Sequence, residues 1–142
     1  MRRLTVVALA AALGTLAFAE GAKPAGKPSE MQKRFEKVVK EYVKGESAKT
    51  AGAFVVKDDV LNKDWKLKLV RIHTKKIVSL GGDRWFACAD LKETEGAKTP
   101  VDLDFFVAKA DEKWAIEKVV VHKVDGKPRF LYNDKNEPVP AK

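Results

Sequence analysis

The stretch RWFACADLKETEGAKTPVDLDFFVAK, residues 84–109, contains two alternating apolar and polar runs joined by a charged connection, and it decides the expected fold. If the two runs pair antiparallel with Cys88 opposite Asp104, every residue on the other face of the pair is apolar. That face holds Trp85, Ala87, Ala89, Leu103, Phe105 and Val107. We therefore predict a hairpin over residues 84–109 whose apolar face forms the centre of the core.

An amphipathic helix is predicted upstream of these strands. Ser29 and Gln32 have the spacing of a capping box, in which each side chain bonds a backbone N–H of the first turn. Apolar residues then recur every three or four positions, at Met31, Phe35, Val38, Val39, Tyr42 and Val43. We expect this stripe to pack on the apolar face of the strands.

Four extended runs with a period of two follow, at residues 65–80, 84–91, 101–109 and 114–124. The predicted fold class is α+β, with one N-terminal amphipathic helix packed on a curved four-stranded antiparallel meander. Extending the register to the last run pairs Leu103 with Val120 and leaves Phe105 opposite Lys118. That mismatch predicts either a bulge in the last strand or a lysine whose side chain snorkels to solvent at the mouth of the sheet.

The N-terminus reads as an export signal. Arg2 and Arg3 precede an apolar run from Leu4 to Leu16, and Ala17-Phe18-Ala19 has the small-x-small pattern of a cleavage site. We expect a signal peptide over residues 1–19 and a soluble periplasmic or secreted product that does not span a membrane. Residues 20–28 are expected to be flexible, residues 29–132 to form a single α+β domain, and residues 133–142 to form a loose tail.

One helix followed by a long antiparallel meander, over residues 29 to about 132, resembles the cystatin-like architecture shared with nuclear-transport-factor-like cone domains. The resemblance is one of topology. The sequence lacks the Gln-x-Val-x-Gly loop of cystatins, so protease inhibition is not implied. Cone-shaped enzymes line their pocket with additional N-terminal helices, and with a single helix here their acid–base chemistry is not implied either.

The chain is basic, with 28 Lys and Arg residues against 20 Asp and Glu residues and a formal net charge of +8. Removing Arg2 and Arg3 with the signal peptide lowers this to +6. Such an excess either keeps a small exported domain soluble or attracts an anionic component of the envelope. A protein partner is also open, whereas nucleic acid is not an expected partner outside the cytoplasm.

Lysines and arginines crowd the first extended run, where they allow two interpretations. They either protect an edge strand from aggregation or form a stripe that binds anions. The residues concerned are Lys63, Lys66, Lys68, Arg71, Lys75 and Lys76.

Cys88 is the only cysteine, so no internal disulfide is possible, and we expect a small buried side chain. The sequence shows no Ser/His/Asp arrangement, no Gly-rich phosphate loop and no paired-cysteine motif. His73 and His122 should lie at opposite ends of the sheet, too far apart to share a metal ion. We therefore predict a non-enzymatic binding module without a cofactor or a metal site.

Two groups of residues are candidates for binding. His122 and Lys118 would be the polar side chains of a pocket at the mouth between helix and sheet. Such a pocket would suit a binder of small ligands or, as an alternative, a cone-domain enzyme with His122 as its base.

The opposite face of the central hairpin carries the second group. The predicted register places Asp90, Asp102 and Asp104 close together beside Cys88, which allows a cation-binding module as a further alternative. The competing interpretation is a solvated acidic face neutralised by lysines such as Lys76. Phe86 and Phe106 would form an apolar patch next to these carboxylates, open to a partner or a second copy unless it is covered.

Overall fold

The computed structural model describes residues 29–142. The signal peptide and the flexible segment predicted over residues 1–28 lie outside this range. The described residues form helix α1 (Glu30–Ala48) and nine strands: β1 (Phe54–Asp58), β2 (Lys63–Ile72), β3 (Val78–Gly81), β4 (Arg84–Glu93), β5 (Pro100–Ala110), β6 (Lys113–Val124), β7 (Lys127–Pro128), β8 (Phe130–Tyr132) and β9 (Pro138–Pro140).

The predicted fold class, α+β with a four-stranded meander, is wrong because the structure is mostly β. The main antiparallel sheet has the order β1-β2-β4-β5-β6-β7, and β3 also pairs with β4. The first long run is broken after Ile72 by a turn of 3-10 helix at Thr74–Lys76, so that it supplies both β2 and β3. The remaining additional strands are too short to show a period in the sequence, but they pair with neighbouring strands or with each other.

The predicted register of the central hairpin is confirmed. Cys88 lies opposite Asp104, and the flanking pairs follow in register from Arg84 to Lys92 without a bulge. The six apolar residues named above for the predicted core therefore share the sheet face that packs against α1, which we call the helix face. Cys88 and Asp104 lie on the opposite face, which we call the hairpin face because the β8–β9 hairpin packs on it.

Strand β6 contains two bulges relative to β5. The first brings Lys118 opposite Phe106, and it confirms the bulge that the mismatch predicted. The second lies between the partners of Asp102 and Leu103 and contains His122. Because of the first bulge, Phe105 pairs with Val119 and Leu103 with Val121, so the predicted pairings of Phe105 with Lys118 and of Leu103 with Val120 are each wrong by one residue.

Helix α1 begins with the predicted capping box. The Ser29 hydroxyl accepts a hydrogen bond from the Gln32 backbone N–H at 3.1 Å, and the Gln32 side chain accepts one from the Ser29 N–H at 2.6 Å. Phe35 and Val39 from the helix and Phe105 from β5 have no exposed surface. Side chains therefore fill the space between helix and sheet, where the pocket of a cone-domain enzyme would lie.

The C-terminal residues cover the hairpin face. Strand β8 pairs with β9, so residues 138–140 are ordered in a hairpin where a loose tail was expected. The Tyr132 ring lies 4.8 Å from the Phe86 ring, which itself stacks on Phe106 at 5.0 Å. The Phe86 and Phe106 side chains are consequently buried and do not form an open patch.

The sheet curls so that its two outer edges meet. Asp58 ends strand β1 at one edge, and Arg129 follows strand β7 at the other. The Arg129 guanidinium donates two hydrogen bonds to the Asp58 carboxylate, at 3.0 and 2.7 Å. Within residues 29–142, no helix has the length and apolar character needed to cross a bilayer.

Candidate functional site

Three side chains with metal-binding chemistry meet on the hairpin face. Cys88 on β4 and Asp104 on β5 are direct cross-strand partners, so their side chains lie side by side. His122 reaches the same face because the first bulge of β6 shifts the register by one residue, so that Val120, two positions before His122, pairs with Asp104. We call Cys88, Asp104 and His122 the donor cluster.

The donor atoms of this cluster face one another. His122 Nδ1 lies 3.8 Å from Cys88 Sγ and 3.2 Å from Asp104 Oδ1. The sulfur, nitrogen and oxygen atoms all lie within 4.8 Å of one another, and no other group of three such residues within residues 29–142 does so. The cluster therefore presents three different donor atoms to a single point.

These separations match those around a tetrahedral metal ion. With Zn–S bonds of about 2.3 Å and Zn–N or Zn–O bonds of about 2.0–2.1 Å, tetrahedral angles place S and N about 3.6 Å apart and N and O about 3.4 Å apart. The corresponding distances in the cluster are 3.8 and 3.2 Å. These two separations would therefore need to change by only a few tenths of an ångström for His122 Nδ1 to share an ion with Cys88 Sγ and Asp104 Oδ1.

The same contacts do not form a catalytic triad. In a Cys–His–Asp relay, the nucleophile and the carboxylate bond opposite nitrogens of the imidazole, so that a proton moves through the ring. Here both partners lie against the same nitrogen, Nδ1 of His122. Burial, followed by the nearby carboxylates of Asp104 and Asp102, also raises the pKa of the Cys88 thiol, which disfavours the nucleophilic thiolate.

Strand β8 supplies the surroundings of the cluster. The Tyr132 hydroxyl donates a hydrogen bond to Asp104 Oδ2 at 2.6 Å, and Phe130 stacks on the His122 ring at 4.8 Å. Burial and the bond to Asp104 raise the pKa of Tyr132, which keeps its hydroxyl protonated as a donor. The side chains of His122 and Asp104 are only 13% and 1% exposed. The β8–β9 hairpin therefore orients the donor side chains and nearly closes the site to solvent.

The structure places His122 and Lys118 away from the mouth between helix and sheet. The first bulge of β6 brings both side chains to the hairpin face, where Lys118 Nζ lies 4.4 Å from the Phe106 ring centroid. The two residues therefore do not line a common pocket on the helix face. His122 belongs to the donor cluster, and Lys118 is an exposed cation beside an aromatic ring.

The three carboxylates of the predicted acidic group have separate partners. Asp90 bonds Arg71 at 2.7 Å and His73 at 2.6 Å, and Asp102 lies 3.7 Å from Lys123. Burial would raise the pKa of Asp90, but the bonds from His73 and Arg71 outweigh it and lower that pKa. Asp104 alone of the three belongs to the donor cluster.

Sequence reasoning missed two contributors to this face. Tyr132 lies in the short run Arg129–Tyr132, whose alternating aromatic residues Phe130 and Tyr132 indicate a strand with one apolar side. The inclusion of His122 with Cys88 and Asp104 was missed because the predicted register was extended to β6 without the one-residue shift of the first bulge. No family model, curated protein or solved structure matches the chain.

Proposed function

We propose that this protein is a small exported, non-enzymatic binding module that holds a zinc ion through Cys88, Asp104 and His122. The observation that carries the proposal is the convergence of a sulfur, a nitrogen and an oxygen donor within 4.8 Å. The three donors come from three neighbouring strands, β4, β5 and β6, so the sheet itself fixes their separation.

The mixed donor set favours zinc over other common ions. Calcium and magnesium require oxygen ligands, whereas Zn²⁺ accepts thiolate, imidazole and carboxylate together. A metal ion at this point would displace the thiol proton of Cys88 and so overcome the effect of burial on that thiol. The Tyr132 hydroxyl bonds Asp104 Oδ2, the carboxylate oxygen that does not face His122, and would orient Asp104 as a zinc ligand.

The surroundings favour binding over catalysis. Phe130 and Tyr132 cover the imidazole, which leaves little space for a substrate beside it. Phe35, Val39 and Phe105 fill the space between helix and sheet. Export remains part of the proposal and is supported by the pattern of residues 1–19.

The proposal predicts one zinc ion bound per chain in the presence of a reductant. Isothermal titration calorimetry of the purified protein should give this stoichiometry, and Co²⁺ in place of Zn²⁺ should give a thiolate charge-transfer band in the near ultraviolet. Cys88→Ala should abolish that band, and His122→Asn should weaken zinc binding by at least about tenfold.

The protein contains its own matched control. His73 and Asp90 are a second His–Asp pair, 2.6 Å apart, on the same sheet but outside the donor cluster. His73→Asn should therefore leave zinc affinity unchanged. Absence of binding heat and of the cobalt band in the folded wild-type protein, or equal losses in the two histidine variants, would contradict the proposal. Circular dichroism of Cys88→Ala would confirm that the variant is folded.

A further inference from the structure

Only part of the basic run lies at a sheet edge. Strand β1 pairs with residues 63–67 of β2, so Lys68 and Arg71 lie beyond it, where β2 has no partner on that side within the described sheet. These two residues hold the position that was expected for an edge strand protected by lysine. Lys66 pairs with Val55, and Lys92 lies between β2 and β5, so the charges of these two residues need another explanation.

These charges lie together on the part of the hairpin face formed by β2 and β4. Leu67, Leu69 and Leu91 point into the core, so the residues that alternate with them point to the opposite face. We call Lys66, Lys68, Arg71 and Lys92 the basic face. Within residues 29–142, these four residues are all exposed.

Lys68 and Lys92 are direct partners across β2 and β4. Like charges in this position destabilise a sheet. In the described part of the chain, neither ammonium group has a carboxylate oxygen within 4.0 Å. The neighbouring Lys66 lies 3.7 Å from Glu95, but both of these side chains are more than half exposed. The two central lysines are therefore available to an anion from outside the chain.

We propose that the basic face binds the anionic headgroups of a phospholipid surface. Its charges repeat every ~7 Å along β2 and every ~5 Å between strands, which spreads them over two strands. Val55, the direct partner of Lys66, adds an apolar side chain, 38% exposed, to the same face. Lysines beside an exposed apolar side chain suit the lipid interface better than a soluble polyanion.

This inference is independent of zinc binding, because none of the four basic residues belongs to the donor cluster. The basic face also contains part of the excess of positive charge of the chain. Attraction to anionic lipid is electrostatic, so it should weaken as salt screens the charges.

The test is cosedimentation of the protein with vesicles of phosphatidylcholine, with and without phosphatidylglycerol, at low and high salt. Binding should require phosphatidylglycerol and should fall at high salt. Lys68→Glu should weaken vesicle binding at least about fivefold. The same variant places opposite charges across β2 and β4, so its thermal stability should rise or stay equal. Lys92→Glu should behave in the same way.

Lys113→Glu is the matched control, because it makes the same change of charge at an exposed position on β6, three strands away from β2. It should retain most of the vesicle binding. Equal losses of vesicle binding in Lys68→Glu and Lys113→Glu would show that net charge alone explains the binding and would overturn the proposal. Failure of the wild-type protein to bind anionic vesicles, or binding to dextran sulfate but not to vesicles, would overturn it as well.

Discussion

At the scale of single residues, Asp58 shows how a buried charge is accommodated. The residue is 2% exposed. Its carboxylate accepts hydrogen bonds from the Arg129 guanidinium, from Trp65 Nε1 at 2.9 Å, and from the backbone N–H groups of Val60 and Leu61. Burial is the largest single influence and would raise the pKa of Asp58, but these donors together lower it to about 2.

This pKa predicts how stability depends on acidity. Because the pKa of Asp58 is lower in the folded state than its ordinary value of 3.8, the ionised carboxylate stabilises the fold above about pH 4. That contribution, about 2 kcal/mol, should disappear as the pH falls from about 4 to about 2. Urea denaturation across this range measures it.

Asp58→Asn should lower the free energy of unfolding at pH 7 by about 3 kcal/mol, because it leaves Arg129 without its carboxylate. It should also remove the part of the acid dependence that Asp58 causes. Asp59→Asn, at an exposed neighbour, should change stability by less than about 0.5 kcal/mol. Similar losses in the two variants would show that the bonds of Asp58 do not stabilise the fold.

At the scale of elements, the β8–β9 hairpin determines which side chains of the hairpin face are buried. Without it, Phe86 and Phe106 would face solvent beside the buried carboxylate of Asp104. Tyr132 packs its ring on Phe86 and directs its hydroxyl to Asp104, so a single side chain joins the apolar and polar parts of this interface.

We expect Tyr132→Phe to destabilise the protein by about 1–2 kcal/mol, because it retains the ring but removes a hydrogen bond to a buried carboxylate. Leu131→Ala is the control in the same strand. Its side chain is 50% exposed, so the cost should stay below about 0.5 kcal/mol. Equal free energies of unfolding for the two variants in urea titrations would contradict this role of Tyr132.

Strand β6 shows which elements could be predicted from sequence and which could not. The β4–β5 register was predictable because apolar and polar residues alternate strictly in both strands. In β6, Val119, Val120 and Val121 are all apolar and fit either face, so alternation does not show how the register continues after Lys118. The mismatch at Lys118 indicated the first bulge, and the face of His122 follows only when the one-residue shift at that bulge is carried along the strand.

At the scale of the whole molecule, one sheet lies between a helix and a short hairpin. The position of the helix was predictable from its apolar stripe and its capping box. Curvature of the sheet was predicted, but the bond that joins its edge regions, between Asp58 and Arg129, was not, because these residues are 71 positions apart. The two-residue strand β7 at one edge was also missed, since so few residues show no alternation.

The filled helix face predicts the usual sensitivity of a packed core. Phe105 has no exposed surface and stacks on Phe54 at 6.1 Å. Phe105→Ala should therefore cost about 3–5 kcal/mol in urea denaturation. Val60→Ala, where the side chain is 73% exposed, should cost less than about 0.5 kcal/mol. A small loss of unfolding free energy for Phe105→Ala would mean that the helix face is loosely packed.

The contact between Asp58 and Arg129 also has a consequence for biogenesis. Strands β1 and β2 leave the ribosome long before Arg129 is synthesised, and during that interval Asp58 has no guanidinium to neutralise it. Burying an unpaired carboxylate is costly, so closure of the sheet around Asp58 is unfavourable until Arg129 has been synthesised. For the export proposed above, such late closure would keep the polypeptide threadable through a secretion channel.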